Sequence, residues 1–233
     1  MPLSHSEIVK LIDVSCVRTD VTYQELGQVA AAAIKYNFIA AFAMPCYTEK
    51  LGELLKGSPV MLGGVAGFPS GADTVAQKVD CARYMKSAGC KEIDMVINVG
   101  ALRSGDDDYV RNEIKKVVDT VYPIPVKSIL ECAYLSDEEI VRACKAAVEA
   151  GVAFVKSGTG WAAKPTTVET IKLMKNAVKD KTLIKAAGGV RSLAVLEEMY
   201  AAGCRRFGIS LRSALAILQE AFKRDGAAFE EIN

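Results

Sequence analysis

Five charged residues sit inside apolar, strand-length runs, where charge is least expected. Asp13 lies in Leu-Ile-Asp-Val, Asp94 in Glu-Ile-Asp-Met-Val-Ile-Asn and Lys156 in Ala-Phe-Val-Lys-Ser-Gly. Lys185 lies in Leu-Ile-Lys-Ala-Ala-Gly-Gly, and Lys127 in Pro-Val-Lys-Ser-Ile-Leu-Glu. A buried charge without partners costs several kcal/mol, so such residues are paired, neutralised or functional. If Lys156 and Lys185 occupy adjacent strands, their backbones are roughly 5 Å apart. Two ammonium groups that close cannot both ionise freely. One pKa falls, and the neutral amine can attack a carbonyl to form a Schiff base. The alternative is a static network in which both lysines pair with Asp94 and Asp13. Asp94 accordingly reads either as a proton carrier beside an imine or as a counter-ion. Asp13 could instead face a backbone N–H at a loop, and Lys127, early in its run, reads as structural or positioning.

Glycines give a second signal. Gly188-Gly189 closes the run of Lys185, Arg191 follows directly, and Gly208-Ile209-Ser210 belongs to the last run. Gly158-Thr159-Gly160 follows the run of Lys156 and can line the same pocket. Loops of this kind cradle phosphate through backbone N–H groups and helix N-termini, although ordinary strand-to-helix turns also use glycine. His5 is the only histidine, which excludes a multi-histidine metal site and leaves any Ser-His or Cys-His pairing to a polar leader. Acid–base and nucleophilic work therefore falls to Lys, Asp, Glu, Tyr or Cys, with no metal expected.

The elements that must position these residues recur along the whole chain. Eight apolar runs span 11–16, 39–44, 60–66, 93–99, 126–132, 153–157, 182–187 and 207–210. Continuous hydrophobicity of that length is what a parallel strand covered on both faces needs. Between them, 136–151 and 166–180 carry apolar residues at helical spacing. Ser136 with Glu139 reads as a capping box, Thr167 as the start of the next helix, and Asp73 or Thr74 as the start of one ending at Gly89. Eight βα units without a linker predict one (β/α)8 barrel over residues 1–233. The dinucleotide fingerprint GxGxxG is absent after the first strand, which disfavours an open doubly wound sheet. The tail after about Gly226 reads as a polar surface segment.

Composition narrows the rest. Of the 233 residues, 51% are hydrophobic and 24% charged, which excludes wholesale disorder. The formal charge of +1 predicts no strong attraction to nucleic acid or anionic membrane. No run reaches the roughly 18 apolar residues of a membrane span, and residues 1–10 show no secretion pattern. Seven cysteines without a CxxC pair read as cytosolic thiols, so a cytoplasmic protein is expected.

The motifs in their order resemble the deoxyribose-phosphate aldolase family. Asp94–Gly105 resembles a family signature, Phe154–Trp161 resembles the imine segment FVKTSTGF, Lys185–Arg191 resembles KASGGIR, and Leu11–Val14 is similar to LIDHT. The resemblance runs from about residue 8 to 220. It implies a class I aldolase that reversibly cleaves 2-deoxyribose 5-phosphate into acetaldehyde and glyceraldehyde 3-phosphate. It further implies Lys156 as the imine lysine, Lys185 as the neighbour that lowers its pKa, and Asp94 as proton carrier, with no cofactor. Gly160, Gly188, Gly189, Arg191, Gly208 and Ser210 would hold phosphate, and Asp13, Lys127 and Thr159 are secondary candidates. Homo-oligomers of such barrels are common. Departures are Val14 for the usual His, Arg18 for Lys, Gly158 and Ala187 for Ser, and Leu211-Arg212 where small or hydroxyl residues are common. These leave open an aldolase of a different or non-phosphorylated pair.

Overall fold

A computed structural model describes residues 2–231; Met1 and residues 232 and 233, counted above in the domain, lie outside the described residues. Helix α1 (His5–Val9) precedes β1 (Ile12–Cys16), followed by α2 (Tyr23–Tyr36), β2 (Ala40–Ala43), α3 (Thr48–Leu54) and β3 (Met61–Ala66). Next come α4 (Val75–Ser87), β4 (Glu92–Val96), α5 (Val99–Arg103), α6 (Asp107–Val121) and β5 (Val126–Ile129). The chain continues through α7 (Asp137–Glu149), β6 (Phe154–Lys156), α8 (Val168–Val178), β7 (Leu183–Ala187), α9 (Leu193–Ala201), β8 (Arg206–Ser210) and α10 (Leu211–Arg224). The eight strands close in sequence order into a parallel barrel, β8 pairing with β1. This is a (β/α)8 barrel with a helix after every strand.

Local sequence explains the boundaries. Thr22, Thr74 and Ser136 each cap a helix through a full capping box, with Glu25, Gln77 and Glu139 answering three residues on. Thr74, not Asp73, is the cap. The run 93–99 ends as strand at Val96, because Asn98 turns the chain and caps α5. Likewise Cys132 already belongs to a short 3-10 turn beyond β5. The tail is more than a polar surface segment. Phe229 stacks on Tyr36 with ring centroids 5.5 Å apart, and the Tyr36 hydroxyl donates to the Glu230 carbonyl at 2.6 Å.

The apolar core is an annulus between strands and helices, built from outward strand residues such as Val14, Ile93, Val155 and Ile184 and inward helix residues such as Leu26, Ile114 and Ile217. One buried ion pair lies between α4 and α6, away from the strands. Lys78 Nζ donates to Glu113 Oε2 at 2.6 Å with both side chains fully buried, and Glu113 Oε1 accepts the Asn98 N–H at 2.6 Å. Lys78 also packs against Gly67, so the pair holds the loops that follow β3 and β4.

The barrel interior differs. Its apolar part is small, centred on Ala40, Phe42 and Val65. The remaining space belongs to charge.

Candidate active site

Strand residues two apart share a face. Glu92 and Asp94 of β4, Phe154 and Lys156 of β6, and Arg206 and Gly208 of β8 therefore project into the barrel with Asp13, Lys127 and Lys185. Register sets Lys156 beside Lys185, Lys185 beside Arg206, and Asp94 beside Lys127. The adjacency expected for Lys156 and Lys185 holds. Lys156 ends its strand, whereas Lys185 occupies the middle of β7 rather than its C-terminal end.

Asp94 Oδ2 accepts from Lys156 Nζ at 2.8 Å and from Lys185 Nζ at 2.7 Å. Asp13 Oδ2 lies 2.6 Å from Lys185 Nζ and 3.0 Å from Lys127 Nζ, and its Oδ1 accepts from Arg206 at 2.7 Å. Glu92 accepts from Lys127 and, at 3.1 and 3.3 Å, from Arg206. Asp13 is thus the hub for three cations rather than a loop contact, because its place on β1 faces the barrel axis. Lys127 bridges Asp13 and Glu92 and lies 3.6 Å from Asp94 Oδ1, a positioning role.

Four cations (Lys127, Lys156, Lys185, Arg206) meet three carboxylates (Asp13, Glu92, Asp94). One positive charge is in surplus. Burial, more than any neighbour, lowers the Lys156 pKa; the Lys185 charge adds to this, Asp94 opposes it, and the result is about 8. Burial also lowers Lys185, but Asp13 and Asp94 outweigh it and hold its pKa above the ordinary lysine range. Burial raises Asp94, yet Lys156, Lys185 and Lys127 together hold its carboxyl well below the usual carboxylate range. Asp13 is held low in the same way by Lys127, Lys185 and Arg206 against its own burial. Lys156 is also the most open of the three amines: it keeps 6% of its surface exposed, against 0% for Lys127 and 1% for Lys185.

The amines border a cavity of about 20 Å³ lined by Asp13, Asp94, Lys156, Lys185, Phe42 and Val65, among others. Ser15, Val17, Thr159 and Gly208 line both this cavity and a wider one of about 220 Å³. The wider cavity contains Gly160, Gly188, Gly189, Arg191 and Ser210, so all six expected phosphate ligands border one space. Gly160, Gly188 and Gly189 have φ between +86° and +92°, a conformation L side chains rarely adopt. A side chain at Gly189 would also run into Pro165, so substitution there disturbs the loop at 162–167 as well as the cradle. Arg18 borders the cavity but is engaged by Asp20 and Glu25 at 2.9 and 2.6 Å, while Arg191 has no ion-pair partner among the described residues. Exposed Arg212 does not line the cavity; Ser213 does, its N–H capped by Ser210. A hydroxyl therefore borders the cavity at Ser213, two residues beyond Leu211.

Thr159 is anchored by Glu131, which accepts both its N–H and its hydroxyl. Glu131 is buried and left-handed, φ 55°, and an added side chain at Gly158 would approach its Oε1 to 2.8 Å. A larger residue at 158 would thus press on the Glu131 carboxylate that anchors Thr159. At the mouth, Trp161 Nε1 donates to the Val17 carbonyl at 2.9 Å, and its ring meets Phe68 edge-on at 6.3 Å. His5 lies elsewhere, bonded to Asp225 at 2.8 Å.

Glu92, Arg206, Glu131, Phe42 and Ser213 were not singled out from sequence. Glu92 and Arg206 carried a usable signal, since each precedes an inward residue by two. The sequence run 207–210 began one residue late because arginine is not apolar.

Residues 11–213 match the DeoC/LacD family of aldolases. The deoxyribose-phosphate aldolase of Sinorhizobium medicae is 42% identical over 229 residues, covering 98% of this chain and 92% of the relative. That of Klebsiella pneumoniae subsp. pneumoniae is 40% identical, covering 96% and 91%. The tetrameric deoxyribose phosphate aldolase from Aeropyrum pernix superposes with a TM-score of 0.86 at 28% identity, covering 94% and 92%.

Proposed function

We propose that this chain, which belongs to the DeoC/LacD aldolase family of carbon–carbon lyases, reversibly cleaves 2-deoxyribose 5-phosphate into acetaldehyde and glyceraldehyde 3-phosphate through an imine on Lys156. The observation that carries this reading is the surplus cation: Lys156 is a buried amine shifted toward neutrality, and it faces a cavity that shares its lining with the glycine cradle. The neutral amine adds to the aldehyde carbon C1, and loss of water leaves an iminium. Removal of the C3 hydroxyl proton lets the C2–C3 bond break. Its electron pair moves into the iminium to give an enamine on C1 and C2, and glyceraldehyde 3-phosphate leaves. Protonation of C2 and hydrolysis then release acetaldehyde and restore Lys156.

Lys185 keeps its charge between Asp13 and Asp94 and so disfavours a second ammonium at Lys156. A carboxyl as acidic as Asp94 is a weak base, which favours orienting the two amines over carrying the proton itself. Its Oδ1 has no hydrogen-bond donor among the described residues and can accept one from a hydroxyl of substrate or water. Thr159 lines both cavities, so its hydroxyl can meet a substrate that spans them. Backbone N–H groups after β7 and β8, with Arg191 and Ser210, would take the phosphate.

The iminium is itself the electron sink, so neither metal nor organic cofactor is required. A rate unchanged by chelator checks that point. A single aldolase domain, a cytoplasmic location and a homo-oligomer complete the proposal. No helix of the described residues is long and apolar enough to cross a membrane. The decisive experiment is borohydride reduction with acetaldehyde. One two-carbon adduct on the peptide holding Lys156 is expected, and an adduct only on Lys185 or Lys127 overturns the assignment. Equal kcat/KM for 2-deoxyribose 5-phosphate and deoxyribose would move the activity to a non-phosphorylated pair.

A further inference from the structure

Phe42 is a bulky ring in the middle of the charge network, and nothing in the chemistry above uses it. It sits on β2, paired in register with Gly63 of β3, and is 2% exposed. A side chain on Gly63 would strike Cδ1, Cε1 and Cζ of the ring, so the ring occupies the space that Gly63 leaves free. Lys185 Nζ stands 4.3 Å and Lys127 Nζ 4.8 Å from its centroid. Both distances are within cation–π range, where a desolvated ammonium gains most from an aromatic face. Swinging the ring aside would uncover two buried ammonium groups at once. Phe42 is thus a wall held in place, not a mobile filler.

That wall borders the small cavity. Lys185 and Lys156 bond the same Asp94 oxygen, and Phe42 and Val65 line the space of about 20 Å³ that the two amines share. Room for one water needs about 10–15 Å³. The neighbouring cavity of about 220 Å³ is far wider. The molecule therefore constrains one end of its substrate much more than the other. The tight end is the carbonyl carbon bound to Lys156 and the carbon next to it.

We infer that Phe42 is a specificity-determining residue that confines the aldehyde held on Lys156 to two carbons, by denying space to any substituent on the carbon beside the imine. This rests on the imine reading proposed above. Longer aldehydes bound at the same amine push that carbon's substituent against the ring and Val65.

The test compares acetaldehyde with propanal as the partner activated on Lys156, with glyceraldehyde 3-phosphate as the fixed acceptor. One extra methylene in a fitted apolar pocket is worth roughly 10–200-fold. The parent should therefore favour acetaldehyde in kcat/KM by a factor in that range, and Phe42→Val should shrink the ratio by about tenfold or more. Phe42→Leu, which keeps most of the buried volume, should shrink it less, and it carries the test if Phe42→Val does not fold. A parent with no preference, or a ratio unchanged in variants that still use acetaldehyde, overturns the inference. Borohydride trapping of acetaldehyde separates the two levels. An adduct on Lys156 with an unchanged ratio rejects Phe42 as the determinant, whereas no adduct on Lys156 in the parent rejects the imine reading beneath it.

Discussion

Lys78 and Lys156 are both buried lysines bonded to a buried carboxylate, at 2.6 and 2.8 Å respectively, yet they serve opposite ends. Lys78 meets one partner, Glu113, and that partner spends its second oxygen on the Asn98 N–H. Charge and hydrogen bonds balance, both groups are fully enclosed, and the pair fixes two loops. Burial raises the Glu113 pKa more than Lys78 lowers it, so this carboxyl holds a proton more readily than a free one, and without Lys78 it would do so more readily still. Lys156 instead belongs to a set with one cation too many and lies at its open edge. The difference teaches that burial alone does not make a lysine reactive. At Lys156 burial does most to depress the pKa, the like charge of Lys185 adds to it, and the amine can still be reached.

The comparison breaks most visibly at Lys156. Lys156→Met should lose cleavage down to background, a drop of roughly 10⁶-fold or more if the catalysed reaction has an ordinary enzymatic advantage. It should also unfold at higher urea than the parent at pH 7. A lysine whose folded pKa lies below its unfolded value costs stability; the cost is fully present below about pH 8 and vanishes as pH rises toward 10.5. Removing the surplus cation removes a cost of a few kcal/mol. A less stable Lys156→Met would reject the surplus-charge account, whatever its activity.

Lys78→Met reverses that pattern. It strands Glu113 in a closed site, and losing one partner of a buried pair costs about 3–5 kcal/mol. Denaturant midpoints should fall accordingly, while borohydride trapping at Lys156 survives wherever the variant is folded. Adding Glu113→Leu should recover much of the loss. If Lys78→Met abolished trapping in folded protein, the two pairs would not be separable.

Lys185→Met sharpens the comparison through pH. It leaves three cations for three carboxylates, so Lys156 then completes the balance as an ammonium. The ascending limb of kcat/KM, expected near pH 8 in the parent, should move to higher pH. Asp94→Asn should move it the opposite way, since the carboxylate favours protonated Lys156, while slowing cleavage by up to about 10²–10⁴-fold if Asp94 also assists proton transfer. Limbs unmoved in both variants would disprove the coupling. The smallest expected effect is at the rim. Ser213→Ala removes one neutral hydrogen bond, about 2- to 10-fold in kcat/KM for the phosphorylated sugar and none for deoxyribose. Equal losses for both sugars would take Ser213 out of the phosphate site.

How far the sequence reveals this contrast depends on the background around each residue. Lys156, Lys185, Asp94, Asp13 and Lys127 are conspicuous because apolar strands surround them, and the eight such runs also predict the barrel. Lys78 and Glu113 are invisible by the same logic: charges on amphipathic helices ordinarily face water, and only tertiary packing of α4 against α6 buries these two. Glu131 hides for a backbone reason, since its left-handed turn beyond β5 follows no periodic pattern. Ser213 hides because a cap works through space, with Ser210 bringing its helix end to the cavity rim.

Trp161 is the only tryptophan in the chain, and it is tied at the mouth of the wider cavity to Val17 and Phe68. Excited beyond the absorption band of the eight tyrosines, the protein's emission is therefore a measurement of one place. Occupancy of the rim can be titrated by fluorescence without a label. The same signal reports melting of the barrel poorly, because release of the loop that carries Trp161 from β1 and its following turn already changes the ring's surroundings. An emission midpoint that precedes the circular-dichroism midpoint in denaturant would mark opening of the mouth while the strands remain paired.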